Sequence, residues 1–250
     1  MRQVTTSAAV VLAPNPGPMT LEGTNTWVLR APGDADVLVV DPGPLHEAHL
    51  EAVASTGTVA LIVLTHGHPD HSEGARRLHE MTGADVVSLD PAFTIGGEAL
   101  TLDGESFAAA GVTLTVIHTP GHSSDSLSLH LEGDDAVLTG DTILGRGTTV
   151  VAHPDGLLAD YLDSLRRLRD YGEATVLPGH GPELRTAGTV AQAYLDHRAQ
   201  RLDQVRAAVA AGAATPRAVV EIVYADVDPG LWFAAEMSVR AQLDYLRRSS

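Results

Sequence analysis

The chain contains no cysteine and no lysine, and these two absences exclude several chemistries. Without cysteine there can be no disulfide bond, thiolate metal ligand or thiol nucleophile. Without lysine there can be no Schiff base and no lysine general base, and all 16 basic residues other than histidine are arginines. The chain also lacks an apolar run of membrane-spanning length, and the apolar patch at residues 8–13 is too short for a signal-peptide core. We therefore expect a soluble cytoplasmic protein that has no membrane partner.

The length and charge of the chain set limits on its organisation. With 250 residues, 44% of them hydrophobic, it can form one large domain, or one domain with an appendage, around a sizeable core. The net charge of −16 is uneven, because residues 1–195 carry 25 acidic residues and nine arginines, whereas residues 196–250 carry seven of each. The first region is expected to repel polyanions at long range, and the second is not. Nothing in the sequence predicts a particular oligomeric state.

Short apolar runs alternate with helical patterns up to about residue 185, and this alternation predicts a layered α/β architecture. The predicted strands are residues 37–40, 60–64, 112–117, 127–131, 136–139 and 175–177, and the predicted helices are residues 45–55, 72–81 and 157–170. From about Thr189 the pattern changes to helices alone, over residues 189–211, 216–224 and 231–247. We accordingly divide the chain into a domain at residues 1–188 and a small all-helical C-terminal domain at residues 189–250.

The segment His66–His71 holds the highest density of metal-ligand residue types. Three imidazoles and one carboxylate fall within six residues, directly after the predicted strand at 60–64. A buried strand that ends in a tight turn places such side chains together at a sheet edge, so the segment predicts a metal site. His122, Asp141 and His180 share one context, an apolar strand followed by a glycine-containing turn that lets the backbone approach closely.

Taken together, these residues form the pattern His-x-His-x-Asp-His, then a distant histidine, a distant aspartate and a final histidine. This pattern resembles the metallo-β-lactamase superfamily. The resemblance implies an αββα sandwich with a binuclear metal site at one edge of the sheets. By position, it implies that one metal is held by His66, His68 and His122, a second by Asp70, His71 and His180, and that Asp141 bridges both.

The resemblance also implies a reaction. Neutral imidazoles and carboxylates suit zinc, so we expect two Zn2+ per chain, with iron or manganese as alternatives. Two cations about 4 Å apart can lower the pKa of a shared water, and the resulting hydroxide would attack an ester or phosphodiester. Asp70 and Asp141 are the predicted catalytic residues, Asp70 as a ligand that also receives a proton. Two divalent metals, two aspartates and one hydroxide leave a charge of +1, which favours an anionic substrate.

Further segments resemble one subgroup, the lactamase-like protein 2 type. The similar segments are residues 15–27, 140–149, 177–182, 197–198, 222–224 and 234–236. The resemblance implies a winged-helix-like C-terminal appendage. It also implies single-stranded RNA as the most concrete substrate, because characterised members of the subgroup are endoribonucleases.

Other reactions use the same ligand pattern, so the pattern alone does not select one substrate. We expect either single-stranded RNA or a small anionic molecule. A thioester hydrolase similar to glyoxalase II would need arginines in place of the lysines that such sites use. An iron-dependent sulfur dioxygenase would keep His-x-His-x-Asp-His unchanged. True β-lactamase activity has no specific support in the sequence.

Several residues outside the ligand pattern are predicted to serve the site. Polar loops often carry function, and Asn25, Thr148 and Thr149 are predicted substrate contacts on that ground, with turn formation as the alternative. Either Asp41 or His118 could orient a ligand, although a buried, satisfied polar residue is the simpler interpretation of each. A candidate basic strip is formed by Arg198, Arg201 and Arg206, for which a solvated helix face is the simpler interpretation.

Overall fold

Two β-sheets form the centre of the protein in a computed structural model that describes residues 1–101, 103–151 and 153–248. The first sheet has six strands in sequential order, antiparallel from β1 to β4 and parallel from β4 to β6. Its strands are β1 (Arg2–Gln3), β2 (Ala8–Leu12), β3 (Asn25–Leu29), β4 (Asp36–Val40), β5 (Thr58–Val63) and β6 (Asp85–Val87).

The second sheet has five strands, of which the first four in the chain are antiparallel and the last is parallel to its neighbour. They are β7 (Ser106–Ala109), β8 (Val112–His118), β9 (Leu127–Leu131), β10 (Ala136–Gly140) and β11 (Thr175–Pro178). In space they follow the order β11, β10, β9, β8, β7, so β11 lies at the edge beside β10.

Alternate side chains of each strand enter different cores, as the period of two in a β-strand requires. In β3, Trp27 and Leu29 pack between the two sheets, whereas Val28 packs on the outer side. In β4, Leu38 faces the inter-sheet core and Val39 the outer side. Because both faces of the first sheet are covered, β4 reads as an unbroken apolar run rather than an alternating one.

Helices cover the outer face of each sheet and complete the predicted αββα sandwich, which is thereby confirmed. Helices α1 (Glu47–Ala54) and α3 (Ala75–Thr82) pack on the first sheet through Leu50 and Leu78, while the short α2 (Pro69–Ser72) precedes α3. Helices α4 (Leu158–Arg169) and α5 (Ala187–Ala210) pack on the second sheet.

The described part of the C-terminal region consists of helices and the turns that connect them, as predicted. Helix α6 (Pro216–Val223) and helix α7 (Trp232–Arg248) pack on the last third of α5 around Val205, Val219 and Val239. The first half of α5 belongs instead to the core of the second sheet, so this 24-residue helix is shared by both packing units. Residues 249 and 250 of the predicted C-terminal domain lie outside the described residues.

No helix in the described part of the chain combines the length and apolar character that crossing a membrane requires.

Two features of the fold differ from the sequence-based expectation. The helix predicted over residues 72–81 is divided into α2 and α3, and the division lies at Gly74, whose N–H donates to the Gly43 carbonyl. A Cβ at Gly74 would lie 2.9 Å from that oxygen, so the turn needs glycine. Five short strands were also missed, because their runs are brief or interrupted by polar residues: β1, β2, β3, β6 and β7.

We expect Gly121→Ala to destabilise the fold, because residue 121 has φ of +134° and its Cβ would lie 2.3 Å from the Tyr161 Cα. Neither the backbone of α4 nor the turn can move without losing core packing, so the free energy of unfolding should fall by about 2 kcal/mol or more. Urea denaturation of the metal-free protein measures this.

Gly133→Ala is the matched control, since Gly133 is exposed and its Cβ would have no atom within 4 Å. It should change the free energy of unfolding by less than about 0.5 kcal/mol. Equal stability of the two variants would show that the Gly121 turn is not constrained in this way.

Candidate metal centre

The seven predicted ligand residues converge at one edge of the sandwich, because each lies in a segment that follows a strand. His66 and His68 follow β5, and α2 carries the next two ligands, Asp70 and His71. The others follow the remaining strands in the same way: His122 after β8, Asp141 after β10 and His180 after β11. The structure therefore brings together every residue that the pattern selected.

The histidine-rich turn after β5 is held by side chains from other loops. The Gly67 N–H donates to Asp125 Oδ2 at 2.7 Å, and the Ser72 hydroxyl donates to the Gly67 carbonyl at 2.9 Å. A Cβ at position 67 would lie 2.3 Å from the Phe93 ring, which explains the glycine between the two histidines. The turn is therefore fixed before any ligand binds.

The ligand atoms fall into groups of three within 4.8 Å of one another: His66, His68 and His122; His66, His71 and Asp141; and Asp70, His71 and His180. In the first group, His68 Nδ1 lies 3.1 Å from His66 Nε2 and 2.9 Å from His122 Nε2. In the third group, His71 Nε2 lies 3.2 Å from His180 Nε2. The first and third groups match the two predicted ligand sets.

Asp141 lies between those two sets. Its Oδ1 is 3.4 Å from Nε2 of both His71 and His180, and its Oδ2 is 3.7 Å from His122 Nε2. One carboxylate oxygen therefore faces each set, which is the geometry expected of a bridging ligand.

The outward-facing ring nitrogens are occupied by protein acceptors. Nδ1 of His122 contacts the Val150 carbonyl at 2.7 Å, and Nδ1 of His180 contacts the Gly23 carbonyl at 3.2 Å. A carbonyl can only accept, so both Nδ1 atoms carry the proton and leave the Nε2 lone pairs directed inward. The tautomer that a metal ligand requires is thus selected by the surroundings of each ring.

Asp41 orients two ligands at once. Asp41 directly follows β4, has a positive φ of 53° and is buried. Its carboxylate accepts from the Thr65 N–H at 2.8 Å, from the Thr65 hydroxyl at 2.7 Å and from His71 Nδ1 at 2.8 Å. Because the Thr65 hydroxyl gives its proton to Asp41, its oxygen accepts from His66 Nδ1 at 3.0 Å. Asp41 therefore has the orienting role that the sequence allowed.

His118, the other candidate for that role, does not take it. Its backbone N–H donates to Asp103 Oδ1, and its Nε2 has no hydrogen-bond partner among the described residues.

Burial and neighbouring charge divide the histidines into two kinds. Burial, above all, holds the pKa of His66 and of His122 below the usual value, so both rings are neutral. Burial also opposes protonation of His71 and His180, but the negative charge of Asp141 outweighs it and raises the pKa of His180 to about 9 and that of His71 well above its usual value.

Asp141 is the counter-charge of these protonated rings. Burial opposes its ionisation, but the positive charges of His180 and His71 outweigh that effect and hold its pKa well below the usual range. Protons on two rings therefore balance the carboxylate in the metal-free protein, at the positions that a cation would occupy.

The residues present fit metal ions. Asp141 Oδ1 is buried and receives no hydrogen bond from the described residues, so it has the free lone pairs that a metal ligand needs. A Cβ at Gly179 would lie 2.6 Å from Asp141 Oδ1 and 2.7 Å from His71 Cε1, so only glycine leaves that space open. Imidazole nitrogens and carboxylate oxygens suit zinc, iron or manganese.

The three predicted substrate contacts have different environments. Asn25 begins strand β3 rather than lying in a loop, so that placement was wrong; its buried Nδ2 donates to the carbonyls of Pro178 at 3.0 Å and Gly181 at 2.8 Å. It thereby fixes the segment that carries His180. Thr149 is buried with Oγ1 3.4 Å from His122 Nδ1, whereas Thr148 is exposed beside it. Contact with substrate stays a prediction for all three.

The structure supports neither interpretation of Arg198 in the candidate basic strip on α5, because this side chain lies neither in a basic surface strip nor on a solvated helix face. Arg198 is only 3% exposed, stacks over the Tyr161 ring at 5.0 Å and donates from Nη2 to the Thr149 carbonyl at 2.5 Å. Arg201 stacks over Tyr224, and Arg206 pairs with a neighbouring aspartate. The inward position of Arg198 had a signal in the sequence, since residues 191, 194, 198, 202 and 205 form one buried stripe at helical spacing.

Comparisons with known proteins identify the family. The family model of the metallo-beta-lactamase superfamily matches residues 19–180, and that of the beta-lactamase associated winged helix domain matches residues 215–249. An atrochrysone carboxyl ACP thioesterase from Aspergillus fumigatus is 32% identical over 238 residues, which cover 86% of this chain and 72% of that protein. A beta-lactamase-like protein 2 homolog from Drosophila melanogaster is 30% identical over 268 residues, 98% of this chain and 89% of that one.

The fold has a similar counterpart among solved structures. A beta-lactamase domain protein from Burkholderia ambifaria aligns with a TM-score of 0.86 and 24% identity over 99% of this chain and 89% of that chain. The αββα sandwich, the converging histidines and the matching family models agree with one another. The chain belongs to the metallo-beta-lactamase superfamily and carries the winged-helix type of C-terminal domain that accompanies this fold.

Proposed function

We propose that this chain is a hydrolase that uses two divalent cations to cleave an acyl thioester. The observation that carries the proposal is the position of Asp141, whose two carboxylate oxygens face separate sets of imidazole nitrogens. Such a position suits two adjacent cations that share one carboxylate. The thioesterase among the relatives supports this substrate class, because it is 32% identical over 86% of this chain.

Each residue of the centre has a role in the proposal. One cation would be held by His66, His68 and His122, the other by Asp70, His71 and His180, and Asp141 would be shared. Zinc, iron or manganese bound there would polarise the thioester carbonyl and supply hydroxide near neutral pH.

Asp70 is the residue that exchanges a proton with the reacting water. Its side chain is 29% exposed, against 10% for Asp141, so water reaches it more easily. Burial opposes its ionisation, but the hydrogen bond with His180 and the charge of His71 outweigh that effect and lower its pKa. Asp70 is therefore ionised at neutral pH and able to accept a proton.

The leaving group favours a thioester over RNA. A thioester releases a thiolate, whose conjugate acid has a pKa of about 8.5 in a cysteine side chain, so the leaving group needs no proton. RNA cleavage releases a far more basic alkoxide, which benefits from a general acid. Within the described residues, the outer N–H groups of His71, His122 and His180 are already committed to protein acceptors.

The distribution of charge also argues against RNA as the substrate. In the described part of the chain, Arg198 is buried, while Arg206 and Arg167 are in ion pairs with Asp203 and Asp103. A protein of net charge −16 would repel a polyanion at long range.

Metal binding should release protons. His180, with a pKa of about 9, and His71 are protonated at pH 7 in the metal-free protein, and a cation must displace both protons. The apparent affinity for zinc should therefore rise from pH 6 to about pH 9 and then level off. Calorimetric titration in buffers of different ionisation enthalpy measures the protons released. Elemental analysis should give about two metals per chain, and fewer than about one would exclude the site.

Asp41→Asn should weaken metal binding without removing a ligand. The substitution removes the charge that fixes His71 and, through Thr65, His66, so we expect about a 10- to 100-fold lower affinity. Competition with a chromogenic chelator measures it. Asp36→Asn, an exposed change at the other end of the same strand, is the control. Equal affinities in the two variants would exclude the orienting role of Asp41.

The substrate class can be tested directly. Metal-loaded protein should hydrolyse an acyl-glutathione or acyl-pantetheine thioester, and Asp141→Ala should lower kcat/KM by about a thousandfold or more, since it removes the shared ligand. Thiol release, followed with a disulfide dye, gives the rate. Asp160→Ala, an exposed substitution on α4, should have no effect.

The same preparation is also assayed with single-stranded RNA, a chromogenic β-lactam and glutathione persulfide under oxygen. If the protein turns over one of these three substrates but no thioester, the proposed thioester hydrolysis is wrong and the observed reaction is its activity.

A further inference from the structure

A cavity of about 350 Å³ lies beside the metal centre, between the segment 147–150, helices α5 and α7, and the residues 224–231 that connect α6 to α7. It shares a wall with the centre, since the Val150 carbonyl accepts from His122 Nδ1 and the Thr149 hydroxyl lies 3.4 Å from the same nitrogen. A molecule in this cavity would therefore be separated from a metal ligand by one layer of protein.

The cavity contains an unneutralised cation. Arg198 lines it with its side chain almost wholly buried, and Nη2 is engaged by the Thr149 carbonyl. Its Nε is buried and has no hydrogen-bond partner among the described residues, nor does Arg198 pair there with any carboxylate. A buried charge of this kind is costly unless an anion compensates it.

Neighbouring groups reinforce the positive character of the cavity. Arg201 lines the same wall and adds a second positive charge, while burial and the charges of the two arginines lower the pKa of His197, which lines the cavity as a neutral ring. The described lining contains no aspartate or glutamate, although the whole chain has 32 acidic residues against 16 arginines. This local absence of acidic residues is what a site for an anion requires.

The remaining lining is of two chemical kinds. Hydroxyl groups come from Thr148, Ser238 and Tyr224, and apolar surface comes from the side chains of Met19, Val227 and Leu231. Hydroxyls and N–H groups bind oxyanions, and apolar walls bind an aliphatic chain.

We propose that this cavity is a subsite for a compact oxyanion, a carboxylate or phosphate, at the end of an aliphatic portion of the substrate. Arg198 supplies the positive charge that attracts the oxyanion, the hydroxyl groups of the lining donate to it, and the apolar wall holds the chain that leads to the scissile bond. The role in catalysis rests on the proposed thioester hydrolysis, but binding of the anion does not. The anionic group belongs either to the acyl chain, as a carboxylate, or to the thiol carrier, as a phosphate.

Binding is tested with the metal-loaded protein and two probes, succinate and inorganic phosphate, by calorimetry. Arg198→Met should weaken binding of at least one probe tenfold or more. Because Arg198 is buried and its replacement could impair folding, Thr148→Glu is the second variant; it adds a negative charge at an exposed part of the lining and should weaken binding similarly. Thr189→Glu, an exposed change at the other end of α5, is the matched control and should bind as the unaltered protein does.

Asp141→Asn separates this subsite from the metal centre. If it binds the probes as the unaltered protein does, the anion occupies the cavity, as proposed. If it abolishes binding while Arg198→Met and Thr148→Glu do not, the anion binds the metals and the proposal is overturned. It is equally overturned if neither probe binds.

Turnover identifies the source of the anion. Thioesters with and without a terminal acyl carboxylate are compared on a phosphate-free carrier, and pantetheine is compared with phosphopantetheine for one acyl group. In the pair of substrates that differs by the anion bound in the cavity, the anionic substrate should have at least a tenfold higher kcat/KM. Thr148→Glu should remove this difference. Anion binding without thioester turnover would refute the proposed function alone, whereas turnover without any anion effect would refute the subsite alone.

Discussion

Imidazole nitrogens that crowd together at one edge of the sandwich impose the main physical constraint on this structure. Three pairs of ring nitrogens lie only 2.9 to 3.2 Å apart, so their lone pairs repel unless protons or cations stand between them. Four of these rings cannot relax, because His66, His71, His122 and His180 are fixed from outside by Thr65, Asp41 and the carbonyls of Val150 and Gly23 respectively. The folding of the two sheets therefore holds the ring nitrogens close together, and this arrangement is favourable only when protons or metal cations lie between them.

Local patterns were sufficient to find the seven residues that converge at the sheet edge, but not the residues that surround them. Each ligand directly follows a strand, and strand ends meet at one edge whichever residues lie between them. Asn25 was misplaced because its burial depends on carbonyls 153 and 156 positions away in the chain. Arg198 was misread for the same reason, since its neighbours Tyr161 and Thr149 come from other segments. Helices were predicted to within a few residues except where a turn interrupts them, as at Gly74.

The positive charge of Arg198 is buried rather than exposed at the surface, and its position limits which anions can reach it. An exposed arginine attracts any anion, including a polyanion, whereas a buried one is reached only by a group small enough to enter its cavity. The acidic exterior adds a second filter, because every further phosphate of a nucleic acid would face a body of net charge −16. If the cavity binds an anion as proposed, the size and the charge number of the substrate would be selected together, without a lysine.

The shared helix α5 makes the two packing units mechanically continuous. Its first half is anchored in the core of the second sheet, where the Tyr194 hydroxyl contacts both the N–H and the carbonyl of Leu144, and its last third forms the core of the C-terminal helices. A hinge between the units would have to break a continuous helix. Sequence change in α7 and in the connection that precedes it can therefore reshape the cavity wall while the edge that carries the histidines stays as it is. Such a division lets a family exchange substrates during evolution and keep one reaction.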